Sequence, residues 1–245
     1  MDSVLQLLKS HRSIRKFTEQ PISAELFEEL IKAGQAAATS SFLQGATVIR
    51  VTDAAKRNKI AKLAGNQKYV AAAAEFLVFC ADLKRAGNYC REYGKDFEGD
   101  FTEHFIIATV DVALMAQSLV TAAESSGLGI CYIGGIRNNP APVSDLLQLP
   151  HGVYPVFGLC LGYPDQDPEI KPRLPVSVVL KENVYNEEGD KEAIAEYDER
   201  IQEYCRTRTG GGHGIRWSEQ VSTLLSEKSR PHMKEFLANK GFKFR

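Results

Sequence analysis

The sequence predicts a mixed α/β fold in which short buried strands alternate with helices. Two near-continuous apolar runs of strand length, EFLVFCADL (75–83) and YPVFGLCLG (154–162), read as strands covered on both faces. Segments of helical period stand between the strand candidates, the longest over 102–126. Beyond residue 164 the chain becomes more polar and more helical, as an excursion from the core rather than a second domain. Residues 1–245 are therefore expected to form one domain, with 164–245 as a C-terminal helical excursion.

From the N-terminus, residues 3–10 and 23–37 read as helices. In the second, Ser23 can cap, Glu25 sits in the first turn, and Leu26, Phe27, Leu30, Ile31 and Gly34 share a face. ATVIRVT (46–52) alternates like a strand, and 54–64 reads as a helix that stops at Gly65. A polar helix is expected over 84–94. The long apolar helix ends at Gly127. Its most apolar part, 106–123, includes Asp111 and Gln117, so it reads as a core helix rather than a membrane span, which needs about 20 nearly uninterrupted apolar residues. GICYIGG (129–135) is a short buried strand running into a glycine pair, and 140–149 a short helix opened by Pro140. PDQDPEIKPRLP (164–175) carries four prolines and must be stiff and extended. VSVVL (176–180) reads as a short strand. Helices are expected over 190–207, from about Ser218, and over 231–240.

Composition narrows the function classes. Hydrophobic residues make up 44% and charged residues 25%, which argues against disorder. Thirty Lys and Arg against 31 Asp and Glu leave a net charge of −1, so no global field favours nucleic acid or an anionic membrane, and any anion site must be a local cluster. The first residues lack the basic and apolar regions of a signal peptide. Five scattered cysteines form no C-x-x-C pair, and Cys80, Cys131 and Cys160 lie in apolar runs, which reads as buried small hydrophobes in a reducing cytoplasm. Metal-ligand spacing, a G-x-G-x-x-G opening a helix, a P-loop and a G-x-S-x-G elbow are all missing from the sequence.

Five constellations could carry chemistry. His11-Arg12-Ser13-Ile14-Arg15-Lys16 offers planar guanidinium donors and a hydroxyl that suit a phosphate, or else is a solvated basic turn. Lys171 and Arg173 flank Pro172, which stiffens the pair, and in an extended chain they project to one side roughly 6.5–7 Å apart. They fit a phosphomonoester or are two solvated charges. Gly127-x-Gly129 with Tyr132-Ile133-Gly134-Gly135 lets backbone amides approach a flat ligand, or is simply a turn. Thr39-Ser40-Ser41-Phe42-Leu43-Gln44 could line a polar pocket or end a helix in an ST-turn. Arg206, Arg208, His213, Arg216 and Arg230 could gate an anionic cosubstrate or be solvated helix ends.

Taken in order, HRSIRKFTEQPIS (11–23), TSSFLQ (39–44), AGNQKYV (64–70), AAESSGLGICYIGGIRNNP (122–140), FGLCLGYP (157–164) and KPRLP (171–175) resemble the oxygen-insensitive NADPH-dependent nitroreductase and flavin reductase family. The resemblance is to the group with a long C-terminal excursion, and it runs from about Ser10 to the C-terminus. It implies an α+β fold with a central mixed, mostly antiparallel sheet flanked by helices. It also implies a domain-interlocked homodimer with FMN at the subunit interface. His11, Ser13, Lys171 and Arg173 would hold the FMN phosphate, and Arg12 and Arg15 would lie near the polar side of the isoalloxazine. Thr39, Ser40 and Ser41 would border the flavin from the other subunit, and Gln67 would bond its polar edge. Tyr132, Ile133, Gly134 and Gly135 would bring the backbone to the ring, the two glycines doing so without a Cβ in the way. Ser41, Phe42, Arg208 and Arg230 would meet NADPH or the acceptor.

The implied activity is a cytoplasmic enzyme passing a hydride from NADPH, with NADH as an alternative, to FMN. Two electrons then go to small-molecule acceptors, namely nitroaromatics, quinones or free flavin, by a substituted-enzyme mechanism. The cofactor carries the reaction, so no separate catalytic acid–base pair is expected. A dedicated flavin reductase supplying a partner and a non-catalytic flavin-binding protein remain open alternatives. Thr39 stands where Ser is common and keeps the hydroxyl. Residues 209–215 hold few cations to select the 2′-phosphate of NADPH.

Overall fold

A computed structural model describes residues 3–208, 214–227 and 229–245 of the chain. In chain order its helices and strands begin with α1 (Val4–Lys9), α2 (Ala24–Gln35), β1 (Ala46–Arg50), α3 (Ala54–Leu63), α4 (Tyr69–Ala72) and β2 (Glu75–Asp82). There follow α5 (Lys84–Glu92), α6 (Thr102–Ser125), β3 (Gly129–Ile133), α7 (Pro140–Leu146) and β4 (Val153–Gly162). The chain closes with α8 (Val176–Val179), α9 (Asp190–Thr207), α10 (Trp217–Ser226) and α11 (Met233–Asn239). By contacts the chain divides into two compact units, Met1–Asp167 with Arg230–Arg245, and Pro168–Ser229.

The first unit is built on a sheet of order β1-β2-β4-β3. All three pairings among the described strands are antiparallel, so the expected mostly antiparallel sheet is antiparallel throughout in these residues. The two apolar runs of strand length are its central strands, and β2 is buried along its whole length. Alternation of side chains then makes two cores from one strand. Leu77, Phe79 and Ala81 face one core with Ala108, Val112, Ala116 and Leu119 of α6. Phe76, Val78 and Cys80 face the other with Ile60, Val70 and Val143. Phe236, Leu237 and Phe242 join the α6 core. The Ser23 cap expected from the sequence is formed, its Oγ accepting from the Leu26 amide at 3.1 Å, and the structure adds a cap on α3, where Asp53 Oδ1 accepts from the Lys56 amide at 2.8 Å.

Helix α6 is long and apolar enough to cross a membrane by length and composition. Its Ala108, Asp111, Val112, Ala116, Leu119, Val120 and Ala123 are nonetheless buried against the fold. The opposite face leaves Ile106, Val110 and Leu114 exposed.

In the second unit, Asp198 of α9 accepts from the Ser218 amide of α10 at 3.0 Å, and Tyr197 meets Trp217 edge-on at 6.1 Å. Tyr197 and Tyr204 donate to the carbonyls of Pro172 and Glu169, tying the extended 168–175 segment to α9. One expectation is corrected here, because 176–180 is not a strand but one turn of helix. The Leu180 amide closes onto the Val176 carbonyl at 2.8 Å. Val176, Val179 and Leu180 are exposed, and β propensity is realised only against a partner strand. Two short elements not expected are α4 and a 3-10 turn over Ser40–Phe42. The strand expected over 129–135 ends at Ile133, and Gly134–Asn138 is a 3-10 turn.

Candidate functional site

The segment after α1 runs along the edge strand β3. The Ile14 amide donates to the Ile130 carbonyl at 2.8 Å, and Phe17 bridges Pro164. Ile14 packs onto Gly129, where a Cβ would lie 2.6 Å from Ile14 Cγ1, so glycine there admits the segment. Two of its basic side chains are fixed by acids. His11 Nδ1 pairs with Glu124 Oε1 of α6 at 2.6 Å. Arg12 donates to the Ser10 carbonyl at 3.0 Å and to Asp167. Ser10, Arg12, Ile14, Glu124 and Gly129 line a cavity of about 190 Å³. Ser13 is half-buried and Arg15 exposed. Burial raises the Tyr69 phenol and the Cys131 thiol, while Arg15 opposes both shifts.

A second group forms where the 64–67 turn meets the 134–138 turn. A Cβ on Gly135 would sit 2.3 Å from the Ala64 carbonyl oxygen and 2.9 Å from Gln67 Nε2. Asn139 Nδ2 donates to the Leu63 carbonyl at 2.8 Å. Arg230 joins this group, its Nε donating to Asn138 Oδ1 at 2.9 Å, while His232 Nε2 meets the Arg137 carbonyl at 2.9 Å. Ile133 is buried, and Tyr132 is half-buried and edge-on to Phe157 at 5.1 Å. Burial, and then the Glu124 carboxylate, push the Tyr132 phenol up to about 12.

The third group is the loop after α2. Asp111 of α6 accepts from the Ser40 amide at 3.1 Å and from the Gly45 amide at 3.0 Å. Between them Ser41, Phe42 and Gln44 are in the left-handed region, and Phe42 stands 81% exposed.

Lys171, Arg173 and Arg208 belong to the second unit. Arg173 is turned back, its Nη1 donating to the Lys171 carbonyl at 2.6 Å. Arg208 is exposed, 6.0 Å from the Tyr204 ring. His213 and residues 209–213 of the cation-poor loop lie outside the described residues.

Residues 8–163 match the model of the Nitroreductase family, and residues 171–245 match that of the Nitroreductase family, C-terminal domain. The chain belongs to the nitroreductase family. An NADPH-flavin oxidoreductase of Vibrio harveyi is 47% identical over 241 residues, covering 98% of each chain. An oxygen-insensitive NADPH nitroreductase of Salmonella typhimurium is 44% identical over 242 residues, 99% of each. The solved NADPH:FMN oxidoreductase from Vibrio harveyi complexed with NAD+ has a TM-score of 0.90 at 46% identity, covering 98% of this chain and 99% of that one.

Whether this nitroreductase-family chain fits FMN can be tested on its own atoms. Among the described residues, four buried side-chain polar atoms have no hydrogen-bond partner. Three of them, Arg12 Nε, Thr39 Oγ1 and Gln67 Oε1, lie at positions that the family resemblance implies for flavin. The fourth is Ser144 Oγ. A buried polar atom left unmade costs about 1–3 kcal/mol, so three at such positions fit a polar ligand that completes them. Gly134 agrees with this fit. Its added Cβ would come no nearer than 3.4 Å to Arg137 Nη2, so packing within the chain does not require glycine there. Sequence reasoning missed Glu124, Asp167, Asn138 and the two loop amides that Asp111 accepts from. Only Asp111 left a signal, as an acid inside an apolar helix.

Proposed function

We propose that this chain is an NAD(P)H-dependent, FMN-containing oxidoreductase acting on small-molecule electron acceptors. The observation that carries the reading is the set of unpartnered buried atoms on Arg12, Thr39 and Gln67. Bound FMN would supply the redox chemistry, taking two electrons from NADPH, or NADH, and passing them to a nitroaromatic, a quinone or free flavin.

The chain's residues bind and tune. His11, Ser13, Lys171 and Arg173 hold the phosphate. Arg12 and Arg15 favour the negative charge that arrives with the electrons. Gln67, and the backbone of Tyr132, Ile133, Gly134 and Gly135, hold the ring. Thr39, Ser40 and Ser41 complete the site from the second protomer, with Ser41 and Phe42 towards the acceptor. Arg208 and Arg230 attract the pyridine nucleotide.

The working form is a soluble, cytoplasmic homodimer in which each chain acts as a single domain, 164–245 being its excursion. Exposed apolar stripes support the dimer: Ile106, Val110 and Leu114 along α6, and Val4, Leu5 and Leu8 on α1.

The test is a visible spectrum of the purified protein before and after anaerobic NADPH. A yellow protein bleached by NADPH and recoloured by a quinone is expected. A protein that stays colourless after incubation with FMN, or yellow but unbleached by either nucleotide, overturns the reading.

A further inference from the structure

Asp111 is 1% exposed, in the middle of the apolar helix α6. A buried carboxylate needs compensation, yet Arg85, which lines a small cavity with Asp111, Thr39 and Gln44, pairs instead with Asp82. The recorded partners of Asp111 are two backbone amides, Ser40 at 3.1 Å and Gly45 at 3.0 Å. One carboxylate thus pins both ends of the six-residue bend 40–45. Inside the bend Ser41 (φ 50°), Phe42 (φ 57°) and Gln44 (φ 54°) hold a conformation that L residues avoid. Such strain persists only where the surroundings over-determine it, and the two amide bonds to Asp111 do so here. The bend leaves Thr39 Oγ1 buried without a partner and Phe42 projecting from the surface.

We infer that Asp111 is a positioning residue whose carboxylate clamps the 39–45 loop in the strained bend that presents Ser40 and Ser41 to the flavin and Phe42 to the acceptor. The clamp stands on geometry alone, and what the loop presents rests on the flavin reading above. Asp111→Asn is the natural probe, because an amide in that place can accept from only one of the two N–H groups and turns its own NH₂ towards the other. Gln44→Gly is the matching rescue, since glycine adopts a left-handed φ freely and Gln44 has no assigned part in binding.

The experiment combines hydrogen exchange with FMN titration on wild type, Asp111→Asn and Asp111→Asn/Gln44→Gly. In Asp111→Asn the Ser40 and Gly45 amides should exchange roughly 10- to 100-fold faster, with β2 and β4 amides unchanged. The FMN dissociation constant and the KM for a quinone should each rise about tenfold or more. The double variant should regain roughly tenfold in both protection and affinity. Unchanged exchange at both amides overturns the clamp. Faster exchange with unaltered FMN affinity and KM overturns its role in the site. Loss of protection spread through the sheet, with no rescue by Gln44→Gly, reduces Asp111 to a core residue and also overturns it. If wild type binds no FMN while Asp111→Asn still frees the loop and Gln44→Gly restores it, the clamp holds and the flavin reading falls.

Discussion

Gly134 and Gly135 are adjacent, yet packing within the chain demands glycine only at the second, and alanine at each separates folding from the proposed binding. At Gly135 the new Cβ would sit 2.3 Å from the Ala64 carbonyl oxygen and 3.2 Å from its carbon. Both are backbone atoms in a turn held by the bond from the Gln67 amide to the Ala61 carbonyl at 3.0 Å, so neither can swing aside as a side chain would. Relieving the contact requires the two turns to part by about 1 Å, an overpacking change that costs about 1–3 kcal/mol. For a chain of this length, about 2 kcal/mol corresponds to a fall in Tm of about 4–8 °C. At Gly134 the closest approach would be 3.4 Å, to Nη2 of Arg137, an ordinary van der Waals contact, and the fold should not respond. Thermal unfolding followed by circular dichroism on flavin-free protein reads both. Gly135→Ala should melt several degrees lower, whereas Gly134→Ala should melt with wild type and bind FMN about tenfold more weakly. A Gly135→Ala protein with unchanged Tm would refute the packing argument, and a Gly134→Ala protein with wild-type FMN affinity would refute the assignment of that backbone to the ring.

Three further outcomes follow from the same geometry. Lys171→Ala with Arg173→Ala should weaken FMN binding at least tenfold while leaving riboflavin binding nearly unchanged, the loss of charge-assisted bonds being worth about 1.5–3 kcal/mol; fluorescence titration with both flavins measures it. Arg208→Ala should raise the KM for NADPH more than that for a quinone, and equal effects in steady-state kinetics would remove Arg208 from the nucleotide site. Burial raises the Tyr154 phenol to about 12, as it does that of Tyr132. Between the ordinary tyrosine range near 10 and about 12, the unfolded chain has released protons that the native state keeps. Stability is therefore retained below pH 10 and lost as pH rises through that window. Urea midpoints between pH 9 and 12 should show the fall, and Tyr154→Phe should make it shallower.

The parts of the fold legible in the sequence were those whose cause is local. Two long apolar runs read as central strands, and Ser23 announces its helix by the amide it caps. The turn at 176–180 was not legible, because its valines favour a strand and local sequence does not show that no strand lies beside them. In the candidate site the same division holds. The basic segment at 11–16 stands out by composition, but Glu124 meets His11 across 113 residues. The glycine pair was visible, while the reason for Gly135 was not: it yields to the Ala64 carbonyl, which leaves Gly134 as the position free for a ligand. A lone acid at 111 is conspicuous in an apolar helix, but the loop amides it holds are 71 and 66 residues away.

A crystal structure of the protein with FMN tests the central claim most directly. Arg12 Nε and Gln67 Oε1 of one protomer and Thr39 Oγ1 of its partner should lie within about 2.7–3.2 Å of flavin atoms or of waters bonded to them. Finding all three atoms satisfied by protein groups at a protomer contact that leaves no space for a tricyclic ring would contradict it.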